Sequence, residues 1–425
     1  MPEKYSVILG KAVKKIAQIR GGGSALPGLF VEKIDPDFVG RTLAQLPRGV
    51  VIVSGTNGKT TTTKMVVELL EGQGLKVFTN RTGSNFVRGV AAALLGDVDK
   101  NGILNADIAV LELDEAHAVH FVRTVKPRFS LLLNVMRDQL DRFGEIDTTA
   151  KMLAEIANNT SEGVVLNRED TRVSKIAKIM KEKHIAYFGL SEETRSSFPS
   201  DDEMRSETKV NIAMLPTADV QLESIDDTAA TFSMGNRKFT TSLKLRGVYN
   251  IYNATAALAL VRMVLGEKID LDKLVSSLSS VTPAFGRGET IVVDGQPCEL
   301  VLVKNPSGFR LALSSFSPDD YATMIAVNDN YADGRDMSWL WDVDFDSLAK
   351  LGVAQVSGVR AYDMALRLQY DEVEVTQVNT SLPEALRNFI SQNPSKPKRI
   401  YCTYTAMLAL RRELAKITHV TEAIS

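Results

Sequence analysis

Two hydrophobic periods alternate along the chain from Val50 onward. Short, almost continuous apolar runs fall at Val50–Ser54, Lys76–Thr79, Asp107–Leu113, Arg128–Asn134, Gly163–Asn167 and His184–Gly189. Between them lie helix-length segments, such as Thr60–Glu71, Phe86–Leu95 and Thr148–Asn158, whose apolar residues gather on one face. A strand that is apolar at every position is buried on both faces, so the alternation predicts a doubly wound, mostly parallel sheet covered by helices on both sides. In such sheets ligands sit beyond the carboxyl ends of the strands.

The pattern differs on either side of this block. Residues 1–45 begin with a helical spacing (Val7, Leu9, Val13, Ile16, Ile19) and break at Gly21–Gly28, which reads as a loop. Residues 190–245 open on a polar stretch, then show short alternating segments around Val220, Ala230 and Phe239, the signature of an antiparallel β extension. An Ala-rich helix follows Tyr249. After Phe285-Gly286-Arg287-Gly288 the pattern restarts. Two strand-like runs flank the turn pair Asp294-Gly295, and Met324–Val327, Ala361–Tyr370, Leu382–Ile390 and Arg399–Thr403 continue as strand, helix, helix and strand. The expected architecture is therefore α/β. An N-terminal segment (1–45) packs on a central P-loop domain (46–288), and a C-terminal, Rossmann-like α/β domain fills 289–425.

Composition narrows the function. At 425 residues with 44% hydrophobic content, the chain can build two or three separate cores. A formal charge of −2 leaves no basic excess for a nucleic-acid partner. No apolar leader opens the sequence and no membrane-length run without charge follows, so a cytoplasmic protein without a transmembrane segment is expected. Only Cys298 and Cys402 occur, both inside apolar runs, and they read as buried thiols. His117 and His120 have no soft third ligand in view and do not make a metal site.

The chemistry concentrates where the first apolar run ends. Gly55, Thr56, Asn57, Gly58, Lys59, Thr60 and Thr61 form a shortened P-loop, with Val53 standing where the usual motif has its first glycine. Glycines allow the turn, backbone amides face phosphate oxygens, Lys59 supplies charge and Thr60 a hydroxyl for Mg2+. The carboxylates of Glu112, Asp114 and Glu115 end the Asp107 run, and one of them is a metal candidate. Charged loops follow Asn134 (through Gly144) and Asn328 (through Phe345), the second carrying both tryptophans. Asn253 either caps the Ala-rich helix or bonds a nucleotide base, and Arg287, between two glycines, suits a reach back to phosphate.

Together, Gly55–Thr61, Glu112–Glu115, Asn134 with Asp138–Asp141, Tyr249–Ala254 and Gly286-Arg287 resemble the central domain of the Mur ligases. That family activates a carboxylate with ATP and lets an amine attack it. Gly21–Gly28, Arg137–Arg142, Lys304–Phe309, Asn328–Phe345 and Tyr404–Leu408 resemble more specifically the MurT-type synthetase subunits within it. The resemblance implies ATP and Mg2+ as cofactors, held by Gly55–Thr61, with Thr60 and Glu112 as Mg2+ ligands, Asn253 on adenine and Arg287 on phosphate. It implies amidation of the D-glutamate α-carboxylate of the lipid II stem peptide in peptidoglycan synthesis, with ammonia from a GatD-like glutaminase partner. A lipid-linked substrate would bring the protein to the inner face of the membrane. Asp336, with Asp342 second, is implied to complete the partner's Cys–His pair. Mur ligases generally carry His where this chain has Gln139, and MurT-type proteins commonly hold a four-Cys zinc ribbon. Residues 190–240 contain no Cys, so no structural zinc is expected. The alternatives are an amino-acid-adding ligase of the Mur or folylpolyglutamate type, and a non-catalytic nucleotide-binding scaffold.

Overall fold

A computed structural model describes residues 3–19, 26–80, 86–136, 146–180, 183–195, 215–226, 229–244, 247–282, 287–316 and 318–420. Strand β1 (Val50–Ser54) is buried at every position. It pairs in parallel with β3 (Ile108–Glu112) on one side and β4 (Phe129–Leu132) on the other. The sheet continues outward through β2 (Val77–Thr79) beyond β3, and through β5 (Gly163–Asn167), β6 (His184–Leu190) and β7 (Val220–Ile225) beyond β4, all parallel. Then β8 (Ala229–Met234) and β9 (Arg237–Ser242) add antiparallel, as the alternating segments there led one to expect.

The two-residue period of a strand decides which core each β1 side chain enters. Val51 and Val53 face helices Lys59–Gly72, Val248–Leu265 and Leu271–Ser280, whereas Val50 and Ile52 face the N-terminal helices and Val87–Asp97. Helix Val248–Leu265 is long and apolar enough to span a membrane by composition, yet Ala254 and Leu258 are fully buried in the first of these cores. Its middle turns, residues 254–261, are buried all round, which accounts for a stretch apolar on nearly all sides there.

The second sheet runs β10-β11-β15-β12-β13-β14. Its strands are β10 (Arg287–Val293), β11 (Gln296–Leu302), β12 (Ala322–Ala326), β13 (Val353–Ser357), β14 (Val375–Asn379) and β15 (Lys398–Cys402). Only β10 and β11 are antiparallel. Asp294 and Gly295 join them with φ of 49° and 77°, the left-handed pair that a tight hairpin requires.

The sequence reading of Gly21–Gly28 as a loop is corrected at its end, while residues 20–25 lie outside the described residues. Helix Leu26–Ile34 includes Pro27 and Gly28. Proline fits a first helical turn, and a Cβ on Gly28 would lie 1.9 Å from the Arg88 carbonyl oxygen, so the glycine allows two helices to touch. Residues 137–145, with the Asp138–Asp141 motif and Gln139, also fall outside the described residues.

Candidate active site

The first sheet reverses its strand order between β1 and β4, and the glycine turn leaves β1 at that point. Gly55 has φ +131° and Gly58 +87°. A Cβ on Gly55 would meet the Asn134 amide nitrogen at 2.9 Å, and one on Gly58 the Asn253 Oδ1 at 2.5 Å. Asn134, beyond β4, holds the turn. Its backbone oxygen accepts from Thr56 N at 3.0 Å, its Oδ1 accepts from Asn57 N at 2.8 Å, and its Nδ2 donates to Asn57 O at 3.0 Å. The Thr56 and Asn57 amides are thus committed to the sheet, and the first turn of helix Lys59–Gly72, whose amides no helical carbonyl can reach, follows directly.

Lys59 is 4% exposed. Its ammonium donates to Gly55 O at 2.6 Å and Thr56 O at 3.3 Å, and pairs with Asp114 at 3.1 Å and Glu115 at 3.6 Å. Burial alone would raise the Asp114 carboxyl. The positive charges of Lys59 and Lys304 and the Lys59 hydrogen bond outweigh it, and Asp114 lies below the usual carboxylate range. On the other side of the turn, Thr60 Oγ1 donates to Glu112 Oε1 at 2.8 Å. Asn80 brackets the Glu112 backbone, donating to its oxygen at 2.8 Å and accepting from its nitrogen at 2.9 Å. A hydroxyl and a carboxylate with a fixed backbone are the hard oxygen donors that suit Mg2+.

Asn253 does not cap its helix. Gly247 occupies that position, and Asn253 lies in the second turn, against Gly58. Opposite stands helix Pro306–Ser315 of the second sheet's unit, and the cleft between, open to solvent, is lined by Gly58, Asn253, Lys304, Gly308 and Phe316 among others. Arg287 is the first residue of β10, paired with Val301, so its backbone is strand rather than the free glycine-flanked loop expected, and its side chain is outside the described residues.

The Asn328–Phe345 loop leaves β12 at the second sheet's own reversal, between β12 and β15. Here the crevice is filled from within. Asp333, 1% exposed, accepts from Thr405 N at 2.7 Å and from Thr405 Oγ1, at the start of helix Tyr404–Leu414. Asn328 N donates to Thr403 Oγ1 at 2.9 Å, and Asn330 Nδ2 donates to Thr405 Oγ1 at 2.8 Å. Asp336 is exposed and accepts from Ser338 N at 2.9 Å; Asp342 is half-buried, its carbonyl accepting from Arg310 Nε at 2.8 Å. No described contact joins either acid to Lys59. Trp339 is buried in the core and Trp341 half-exposed. His117 and His120 are exposed on helix Glu115–Thr124.

Reading the residues alone missed Asn134 as the clamp of the turn and Lys304 and Asn305 as the facing wall. Asn305 had a usable signal, because Asn-Pro followed by an apolar run marks a helix start. Lys304 had none, since only the fold brings it near Asp114.

Comparison with known proteins shows the family and the fold. The Mur ligase middle domain family matches residues 53–261, and the MurT ligase C-terminal family residues 302–407. The lipid II isoglutaminyl synthase (glutamine-hydrolyzing) subunit MurT of Streptococcus pneumoniae is 31% identical over 442 residues, covering 96% of this chain and 96% of its own. Among solved structures, MurF from Acinetobacter baumannii aligns with TM-score 0.70 at 19% identity, over 92% of this chain and 80% of that one. MurF ligase from Thermotoga maritima, in complex with ADP, aligns with TM-score 0.67 at 17% identity, over 89% and 83%.

Proposed function

The chain belongs to the MurT family of Mur ligase-type subunits, and from that premise we propose that it is the synthetase half of a lipid II isoglutaminyl synthase. It uses ATP to activate the α-carboxylate of D-glutamate in the lipid II stem peptide, and ammonia replaces the phosphate to give D-isoglutamine. The observation that carries this reading is the buried Lys59, fixed between two loop carbonyls and two carboxylates at the exit of β1, with Lys304 near Asp114. An unactivated carboxylate does not take up ammonia. A phosphorylated one does, and Lys59, Lys304 and the helix N-terminus are assigned to the negative charge that gathers as the phosphoryl group moves. Thr60 and Glu112 would hold Mg2+, which when bound offsets phosphate charge. Asn253, beside Gly58, is assigned to the adenine and Arg287 to phosphate.

Ammonia is assigned to a separate, GatD-like glutaminase subunit. Neither thiol of this chain can act as the nucleophile of glutamine hydrolysis: burial pushes Cys298 up to about 12, and burial raises Cys402 as well. Asp336, exposed beside the committed Asp333, is the acid we assign to the partner's Cys–His pair, with Asp342 second. Tyr362, Leu366 and Tyr370 form an exposed stripe along helix Ala361–Tyr370, and the Trp341 ring meets Tyr370 at 5.1 Å, which supports a partner-facing surface here. A lipid-linked substrate would bring this assembly to the inner face of the membrane.

The test is ADP formation and amide product with a lipid II-type muropeptide and either glutamine or free ammonia, using the chain with its glutaminase subunit. Asp336→Asn is expected to abolish glutamine-driven product and keep ammonia-driven product. Failure to make ADP with muropeptide and ammonia both present overturns the reading.

A further inference from the structure

Asn305 makes two kinds of contact. Its Oδ1 accepts from Gly308 N at 2.6 Å, capping helix Pro306–Ser315, and its Nδ2 donates to Asn57 Oδ1 at 3.1 Å, on the glycine turn of the other sheet's unit. The return bond from Asn57 Nδ2 to Asn305 Oδ1 is 3.5 Å. Asn305 is fully buried. Because Asn134 clamps the Asn57 backbone on both sides, three carboxamides run in series from the end of β4, through the turn, to the residue that starts the facing helix. A cap needs only an acceptor, and Ser or Asp would serve as well. A carboxamide adds a donor, which Asp lacks and a Ser hydroxyl is too short to deliver.

We propose that Asn305 is a positioning residue for the nucleotide: it ties the Gly55–Gly58 turn to the second sheet's unit, so that the turn takes its binding shape together with the placement of Lys304 and helix Pro306–Ser315. The proposal rests on the reading of this cleft as the ATP site. Without the tie, the ordering of turn and facing helix falls on the binding step, and ATP affinity drops.

The experiment is a double-mutant cycle on the full chain, with ATP affinity measured by calorimetry and stability by thermal unfolding. Asn305→Ser keeps the cap and removes the donor, while Asn57→Ala leaves the cap untouched. Each is expected to weaken ATP binding about three- to tenfold, with the double variant no weaker than the weaker single and the Asn305→Ser unfolding temperature near that of the parent. In the assembled enzyme the loss should appear in KM for ATP with kcat retained, which an unfolding defect would not produce. Single losses that multiply in the double variant, or an Asn57→Ala chain that binds ATP like the parent, overturn the proposal. A parent chain that does not bind ATP overturns the nucleotide reading, and the proposal with it.

Discussion

The two sheets of this protein share one plan and use it in opposite ways. Each is mostly parallel, and each reverses its strand order once, leaving a crevice beyond the strand ends. At the β1/β4 reversal the chain places glycines, a buried ammonium and the start of a helix. At the β12/β15 reversal it places its own Asp333 carboxylate on the start of helix Tyr404–Leu414, with Asn328, Asn330 and Thr405 around it. A helix N-terminus attracts an anion; in one sheet it is the place proposed for the ATP phosphates, and in the other a side chain has taken the place. Architecture alone therefore does not make a site. What matters is whether the crevice residues satisfy one another.

The largest effect should come from removing the charge at the open crevice. Lys59→Ala is expected to lower ADP formation by at least about a hundredfold. An unchanged rate would remove the contrast between the two crevices. The filled crevice should respond in stability instead. Asp333→Ala strips two bonds from the start of a helix and should cost about 2–4 kcal/mol in denaturant unfolding, while ammonia-driven turnover per folded molecule persists. Loss of turnover without loss of stability would make the second crevice a site after all.

A smaller change is expected at the exposed stripe. Tyr370→Ala should weaken assembly with the glutaminase subunit about tenfold by titration and leave ATP affinity alone. The smallest effect concerns acid. Because Lys59 lowers Asp114 below its unfolded value of about 3.9, the stability it adds is present above that value and is lost as pH falls through the lower folded value. Asp114→Asn should therefore be less stable than the parent near neutrality, and the gap should close on acidification. A gap constant from pH 7 to about pH 3 would mean that the pairing does not act through ionisation.

How much of this the sequence disclosed follows from how local each feature is. Largely apolar runs marked β1 and β3–β6; β1 and β3–β5 are buried at every position, which leaves few polar residues in them. Asp294-Gly295 marked its hairpin through backbone sterics. By contrast, β14 (Val375–Asn379) is an edge strand, half-buried and polar at Thr376, Gln377 and Asn379, and β13 carries the buried polar Gln355; neither gave a run to read. Leu26-Pro27-Gly28 read as a breaker because the close approach of Arg88 is a tertiary fact. In the site, Lys59 and Thr60 were readable from motif spacing, whereas spacing left Glu112 one of three candidate carboxylates and only the family resemblance singled it out; the fold sets it beside Thr60. The roles of Asn134 and Asn305 as neighbours of Asn57 were not, because 77 and 248 residues separate them from it.

Asn134 answers the Asn57 backbone as a facing strand would, with one acceptor and one donor at ladder distances. The glycine turn is in that sense one more rung of the sheet. Its Thr56 and Asn57 amides should then exchange with deuterium as slowly as those of β1, opening only when the strand ends part, so this loop should be among the last portions of the surface to loosen.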